Sequence, residues 1–205
     1  MLGCVVMVFR ERGLYKACNV SEETVMAFAT NVFARYNDVA FHNVWHAFTV
    51  FQGCYWALVK CKELRTALTA MDQFALLVSA LCHDIGHDGN NNPYHVQRKD
   101  ELAMLYNDTS PLENLHARSC FEAASAEGCD VFAGLDKKDY RQVRGQIIGC
   151  IIQTDMAHHG TKMTKLDATS DFDAAKLADP KEDLEKLFWM EVMRASKLYE
   201  NISRA

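Results

Sequence analysis

The chain is short of proline, with three in 205 residues. Proline fixes φ and removes a backbone donor, so it interrupts helices and central strands. Its scarcity, together with long periodic segments, points to a mostly helical protein. A basic stripe is also missing, and the net charge is −5. That excludes nucleic acid as a partner class. No run is long enough for a membrane span. The apolar start MLGCVVMVF falls far below the roughly 20 residues a span needs, lacks a basic leader region and runs at once into Arg-Glu-Arg. None of the eight cysteines forms a C-x-x-C pair. Most lie inside apolar helical patterns, where a thiol acts as a small hydrophobe. This usage excludes a disulfide framework and implies a reducing compartment, the cytoplasm.

Apolar residues are plentiful, at 49% of the chain, which is enough for a substantial core. Residues 1–205 read as a single all-α domain, with no internal repeat and no linker. The apolar start reads as the cut edge of a longer protein. Seven helical segments can be argued. Ser21 caps the first, whose apolar face is Val25, Phe28, Ala29, Val32, Phe33 and Tyr36. The second runs from about Asn43 to Cys61. The third begins near Asp72, is apolar nearly all round and is therefore central. GHDGNNNP breaks it. A fourth covers Tyr94 to Tyr106. Ser110-Pro111-Leu112-Glu113 reads as a capping box opening a helix towards Glu127. Asp136 caps another, with Val143, Ile147, Ile148, Ile151 and Ile152 as its apolar face, and Asp179-Pro180 opens a last helix.

Polar residues in these apolar surroundings are the candidates for chemistry. His42 and His46 lie four apart in FHNVWHA, and on a helix they would share one face. They suit a metal ligand beside a catalytic imidazole, two ligands of one metal, or two half-buried histidines with no such role. His83, Asp84 and His87 stand where the most apolar helix ends. A charged group there is costly unless paired or metal-bound. Neutral imidazole nitrogen beside a bridging carboxylate suits a transition metal next to a harder cation; the alternative is a polar helix end. Glu113 fits the third position of its capping box or orients a histidine. Asp155 ends another apolar helix, as Asp84 does. His95, His116, His158 and His159 read as surface or core-edge residues.

H-N-x-x-H, then H-D-x-x-H-x-G-x-x-N, then L-E-N, then T-D-M occur in this order. NDTSPLENLHA and DKKDYRQVR stand around them. The set resembles the catalytic domain of class I cyclic-nucleotide phosphodiesterases, within the wider His-Asp metal phosphohydrolases, from about Val20 to about Lys162. The resemblance implies an all-helical phosphodiesterase fold of the HD type, hydrolysing 3′,5′-cyclic nucleotides in signal transduction. It implies two divalent metal ions, zinc with magnesium or manganese, bound by His46, His83 and a bridging Asp84. His42 would be the proton donor, with Glu113 orienting it. His87, Thr154 and Asp155 would hold metal-bound waters or ligands, and Phe41 and Met156 would lie near the substrate.

Four departures from the family pattern are visible. Phe41 stands where the family has tyrosine, and Thr49 where it has a supporting aspartate. No H-A-A-D-type motif supplies the further metal-binding aspartate; one alignment puts Lys197 there. The C-terminal portion that reads the base is absent, so the resemblance implies a truncated domain and selects neither cAMP nor cGMP. A catalytically impaired relative that binds metal, regulates or dimerises is the alternative, and a His-Asp hydrolase of another phosphoester is a third. A homodimer and flanking regulatory domains are the partners to expect besides the cyclic nucleotide.

Overall fold

The computed structural model describes residues 1–158, and within them every regular element is a helix. In chain order they are α1 (Leu2–Glu11), α2 (Leu14–Ala17), α3 (Glu22–Ala34), α4 (Val44–Lys60), α5 (Lys62–Ala67), α6 (Ala70–Cys82), α7 (Asn92–Arg98), α8 (Glu101–Leu105), α9 (Pro111–Ala124) and α10 (Lys137–Ile152), followed by a 3₁₀ turn at Met156–His158. The helix argued after Asp179-Pro180, together with His159 and Lys197, lies outside the described residues.

α6 is the axis of the fold. Every residue from Asp72 to Cys82 is buried, and the helix packs chiefly against α10 and α4. Its apolar run leaves no face for water, and each fully buried Leu, Val or Phe side chain contributes about 1.5–3 kcal/mol. Its start is over-determined. Thr69 and Asp72 form a capping box, and Asp72 Oδ1 also accepts from Gln142 Nε2 at 3.1 Å and from Gln146 Nε2. The caps read at Ser21 and Asp136 are present, and Asn43 caps α4 as well, each accepting from a backbone N–H in the first turn of its helix.

Three segments differ from the sequence reading. The apolar start is a core helix: α1 buries Val5, Val6, Val8 and Phe9. The segment from Tyr94 to Tyr106 is two helices, α7 and α8. Lys99 turns left-handed at φ 52°, and Asp100 recaps the chain by accepting from Ala103 N. The capping box at Ser110 does not form. Ser110 is itself left-handed (φ 43°), its hydroxyl donates to Asp155 Oδ2 at 2.7 Å, and Glu113 accepts from Asn92. A tertiary partner has outcompeted the local one. Pro111 does open α9, which ends at Ala124 rather than Glu127.

Candidate active site

Among the described residues, five helix ends meet at one place: the start of α4, the end of α6, the starts of α7 and α9 and the end of α10. The loop after α6 turns away through Gly86 at φ 80°, a conformation that glycine takes without a Cβ penalty. Asn37 holds this loop by donating to the carbonyls of Gly86 and His87. A cleft of about 780 Å³ opens there, with His42, His46, His87, Asn90, Glu113 and Met156 among its walls.

His46, His83 and Asp84 form its floor, and all three are buried. One ligand atom from each lies within 4.8 Å of the others. The two imidazole Nε2 atoms are 3.2 Å apart, and Asp84 Oδ2 lies 3.1 Å from His83 Nε2 and 3.3 Å from His46 Nε2. His83 Nδ1 donates to the Ala80 carbonyl at 3.1 Å. A carbonyl only accepts, so this bond fixes the ring and turns Nε2 into the cluster. Among the described residues, His46 Nδ1 and Asp84 Oδ2 make no hydrogen bond of acceptable geometry.

Burial pushes the His46 imidazole down to about 3, with His83 adding to the effect. Burial works against charge on His83 and Asp84 too. Each overrides it for the other: His83 is raised and Asp84 is held well below the usual carboxylate range. Two imidazole nitrogens and one carboxylate oxygen, with a buried oxygen still lacking a hydrogen bond, fit a divalent transition ion of the zinc type.

The other expected residues lie around this floor. His42 precedes Asn43, the cap of α4, so it is not one helical turn from His46 as the spacing suggested. Its ring crosses that of His46 at 5.9 Å and stacks on His87 at 4.0 Å between centroids. Burial lowers its pKa. His87 Nδ1 accepts from Gly89 N, and burial takes the ring down to about 4. Asp155 is buried between the hydroxyl of Ser110 and the amide of Ala157. Thr154 lies in the cleft wall, with its hydroxyl given to Ile151 O. Met156 is exposed at the cleft mouth. Phe41 lies outside the cleft lining, and its ring backs those of His42 and His46 at 4.8 and 4.7 Å.

Glu113 differs most from expectation. Its carboxylate accepts from Asn92 Nδ2 at 2.8 Å, and no hydrogen bond joins it to His42 among the described residues. Burial raises it to about 7.

Three further residues build the site, and the sequence gives none of them a place in it. Asn92 joins the Glu113 carboxylate to the amide of Leu112. Ser110 fixes Asp155. His116 is buried, donates from Nδ1 to Ile85 O at 2.9 Å and stacks on His87. Its position one turn after Glu113 on α9 was the available signal.

The comparisons with known proteins agree with this geometry. The family model for 3′5′-cyclic nucleotide phosphodiesterase matches residues 41–203. The chain is 36% identical over 172 residues to the high affinity cGMP-specific 3′,5′-cyclic phosphodiesterase 9A of Drosophila melanogaster, covering 83% of this chain and 11% of that protein. It is 32% identical to the mouse 3′,5′-cyclic-AMP phosphodiesterase 4C, covering 79% of this chain and 24% of that one. The phosphodiesterase domain of the Salpingoeca rosetta rhodopsin phosphodiesterase superposes with a TM-score of 0.86 at 32% identity, over 93% of this chain and 59% of that one. The chain thus spans a minor part of these curated relatives. On the matched region, the motif set and the fold, it belongs to the 3′,5′-cyclic nucleotide phosphodiesterase family.

Proposed function

We propose that this chain hydrolyses 3′,5′-cyclic nucleotides to nucleoside 5′-monophosphates, acting in signal transduction in the cytoplasm. The observation that carries the proposal is the convergence of His46, His83 and Asp84 on the floor of a cleft with an imidazole, His42, in its wall. Two divalent ions, zinc with magnesium or manganese, would be held by His46, His83 and Asp84 and would supply a water of lowered pKa and charge neutralisation at phosphorus. The protein's own share is placement and proton transfer. Cleavage of the P–O3′ bond leaves an alkoxide that needs a proton, and His42 is the group proposed to give it. Glu113 is proposed to orient His42 and recharge it; a carboxyl near 7 is matched to exchange with an imidazole. His87, Thr154 and Asp155 are proposed to hold ion-bound waters, and Phe41 and Met156 to border the substrate. The relatives are named for cGMP, for cAMP or for both, and no residue described here selects between them.

One observation favours the second reading, an impaired relative that binds metal and regulates or dimerises. Thr49 gives its hydroxyl to the Trp45 carbonyl of its own helix, and His46 Nδ1 has no hydrogen-bond partner among the described residues. Assay of cAMP and cGMP hydrolysis with added zinc, magnesium or manganese tests the two. Turnover that Asp84→Ala abolishes supports the enzyme. Metal binding with no turnover of either nucleotide supports the impaired relative.

A further inference from the structure

The proposed mechanism makes no use of His95, which is 5% exposed on α7. Both of its ring nitrogens face carboxylates. Nδ1 is 2.8 Å from Asp100 Oδ2, the residue that caps α8 with its other oxygen. Nε2 is buried without a hydrogen bond of acceptable geometry among the described residues, and Asp88 Oδ1 lies 3.4 Å from it. Asp88 in turn holds Asn90 twice: Oδ1 accepts from the Asn90 amide at 3.0 Å and Oδ2 from its side-chain nitrogen at 2.9 Å. Asn90 lines the cleft.

A continuous chain of contacts therefore runs from the start of α8, through a buried imidazole, to a residue in the wall of the proposed substrate site. The same imidazole joins the α7–α8 break to the loop that carries His87. The Asp88 side chain is 43% exposed. An exposed carboxylate holding a surface loop is worth little by itself, but a rigid buried anchor behind it restricts where the loop can go.

We propose that His95 is a positioning residue. Clamped between Asp100 and Asp88, it fixes Asn90 as a substrate-contacting wall of the cleft. The proposal rests on the phosphodiesterase reading for its substrate but not for the clamp itself. Loss of the clamp loosens Asn90 and weakens substrate binding, while Asn37 still holds the His87 carbonyl and with it the ring stacked on the proton donor. Interactions made equally in ground and transition states act on KM and not on kcat.

The test uses the full chain and two readouts. In hydrogen exchange, His95→Ala and Asp88→Ala each speed the amides of residues 89–91 about tenfold or more, with those of His87, Asn92 and α6 unchanged; Asp88→Ala, a surface change, keeps the test valid if His95→Ala is unstable. In cyclic nucleotide hydrolysis, His95→Ala raises KM about tenfold with kcat within twofold. Asn90→Ala does the same, and the double variant His95→Ala/Asn90→Ala is no worse than either single, because both act through one wall. His95→Gln, which keeps a donor for one carboxylate, recovers part of the loss. Unchanged exchange in both variants overturns the clamp whether or not the wild type turns over nucleotide. Additive effects on KM, or a fall in kcat with KM unchanged, overturn its positioning role. Wild-type protein that hydrolyses neither cAMP nor cGMP counts against the phosphodiesterase reading alone, and the exchange result still decides the clamp.

Discussion

Two buried aspartates stand at opposite ends of α6, and their surroundings are opposites. Asp72, at the start, is surrounded by donors. Thr69 N and Thr69 Oγ1 give to one oxygen at 2.8 and 2.6 Å, and Gln142 and Gln146 give to the other. Asp84, just past the end, faces two imidazole nitrogens with an oxygen that no hydrogen bond satisfies among the described residues. Burial alone does not tell a structural carboxylate from a metal ligand. The identity of the neighbours does: hydrogen-bond donors in one case, convergent lone-pair groups in the other. Asp72 locks α6 to α10, whereas Asp84 stands in an arrangement that could hold a metal ion.

The largest effect that follows is on turnover. Asp84→Ala lowers cyclic nucleotide hydrolysis by at least about a thousandfold, as expected when charge stabilisation at phosphorus is lost, with folding of the metal-free chain kept. Near-normal turnover in that variant would falsify the ligand role. The reverse pattern holds at the other end. Asp72→Ala costs about 3 kcal/mol in urea unfolding, because two buried amides and the cap of the central helix lose their acceptor. A cost under 0.5 kcal/mol there would mean that the Asp72 network is ornamental.

Glu113 sharpens the comparison through pH. Its folded-state pKa, about 7, is above the ordinary 4.5. The folded protein therefore favours the protonated acid, and this stabilising contribution is full below about pH 4.5 and is lost as pH rises through 7. Glu113→Gln has no such charge to bury. In the metal-free protein it is more stable than wild type at pH 8 by up to about 3 kcal/mol, and the difference closes below pH 5. A wild type as stable as Glu113→Gln at pH 8 in thermal melts would contradict this. The smallest effect is expected at Thr49. Thr49→Asp places a carboxylate on the His46 turn of α4 and tightens zinc binding several-fold; unchanged affinity by calorimetry would remove Thr49 from the account.

Much of this arrangement was legible in the sequence, for identifiable reasons. α3, α4, α6 and α10 carry local caps and strong periodicity, and the His-Asp motifs named the cleft floor. What stayed hidden depends on partners distant in sequence. Ser110 reads as a cap because Glu113 follows three residues on, yet its hydroxyl goes to Asp155, 45 residues away. The break between α7 and α8 comes from Asp100, whose second oxygen is taken by His95. His116 has the profile of a core-edge histidine until Ile85 O, 31 residues earlier, arrives at its Nδ1. The apolar terminus that forms α1 reads as an edge, and its four buried side chains become visible only against the rest of the core.

Zinc-dependent thermal stabilisation of the full chain tests the contrast between the two ends of α6 most directly. A ligand that binds only the folded state raises the melting temperature with its concentration. The account predicts that zinc stabilises wild type and Asp72→Asn alike and leaves Asp84→Asn unmoved. Equal stabilisation of Asp84→Asn and wild type would contradict it.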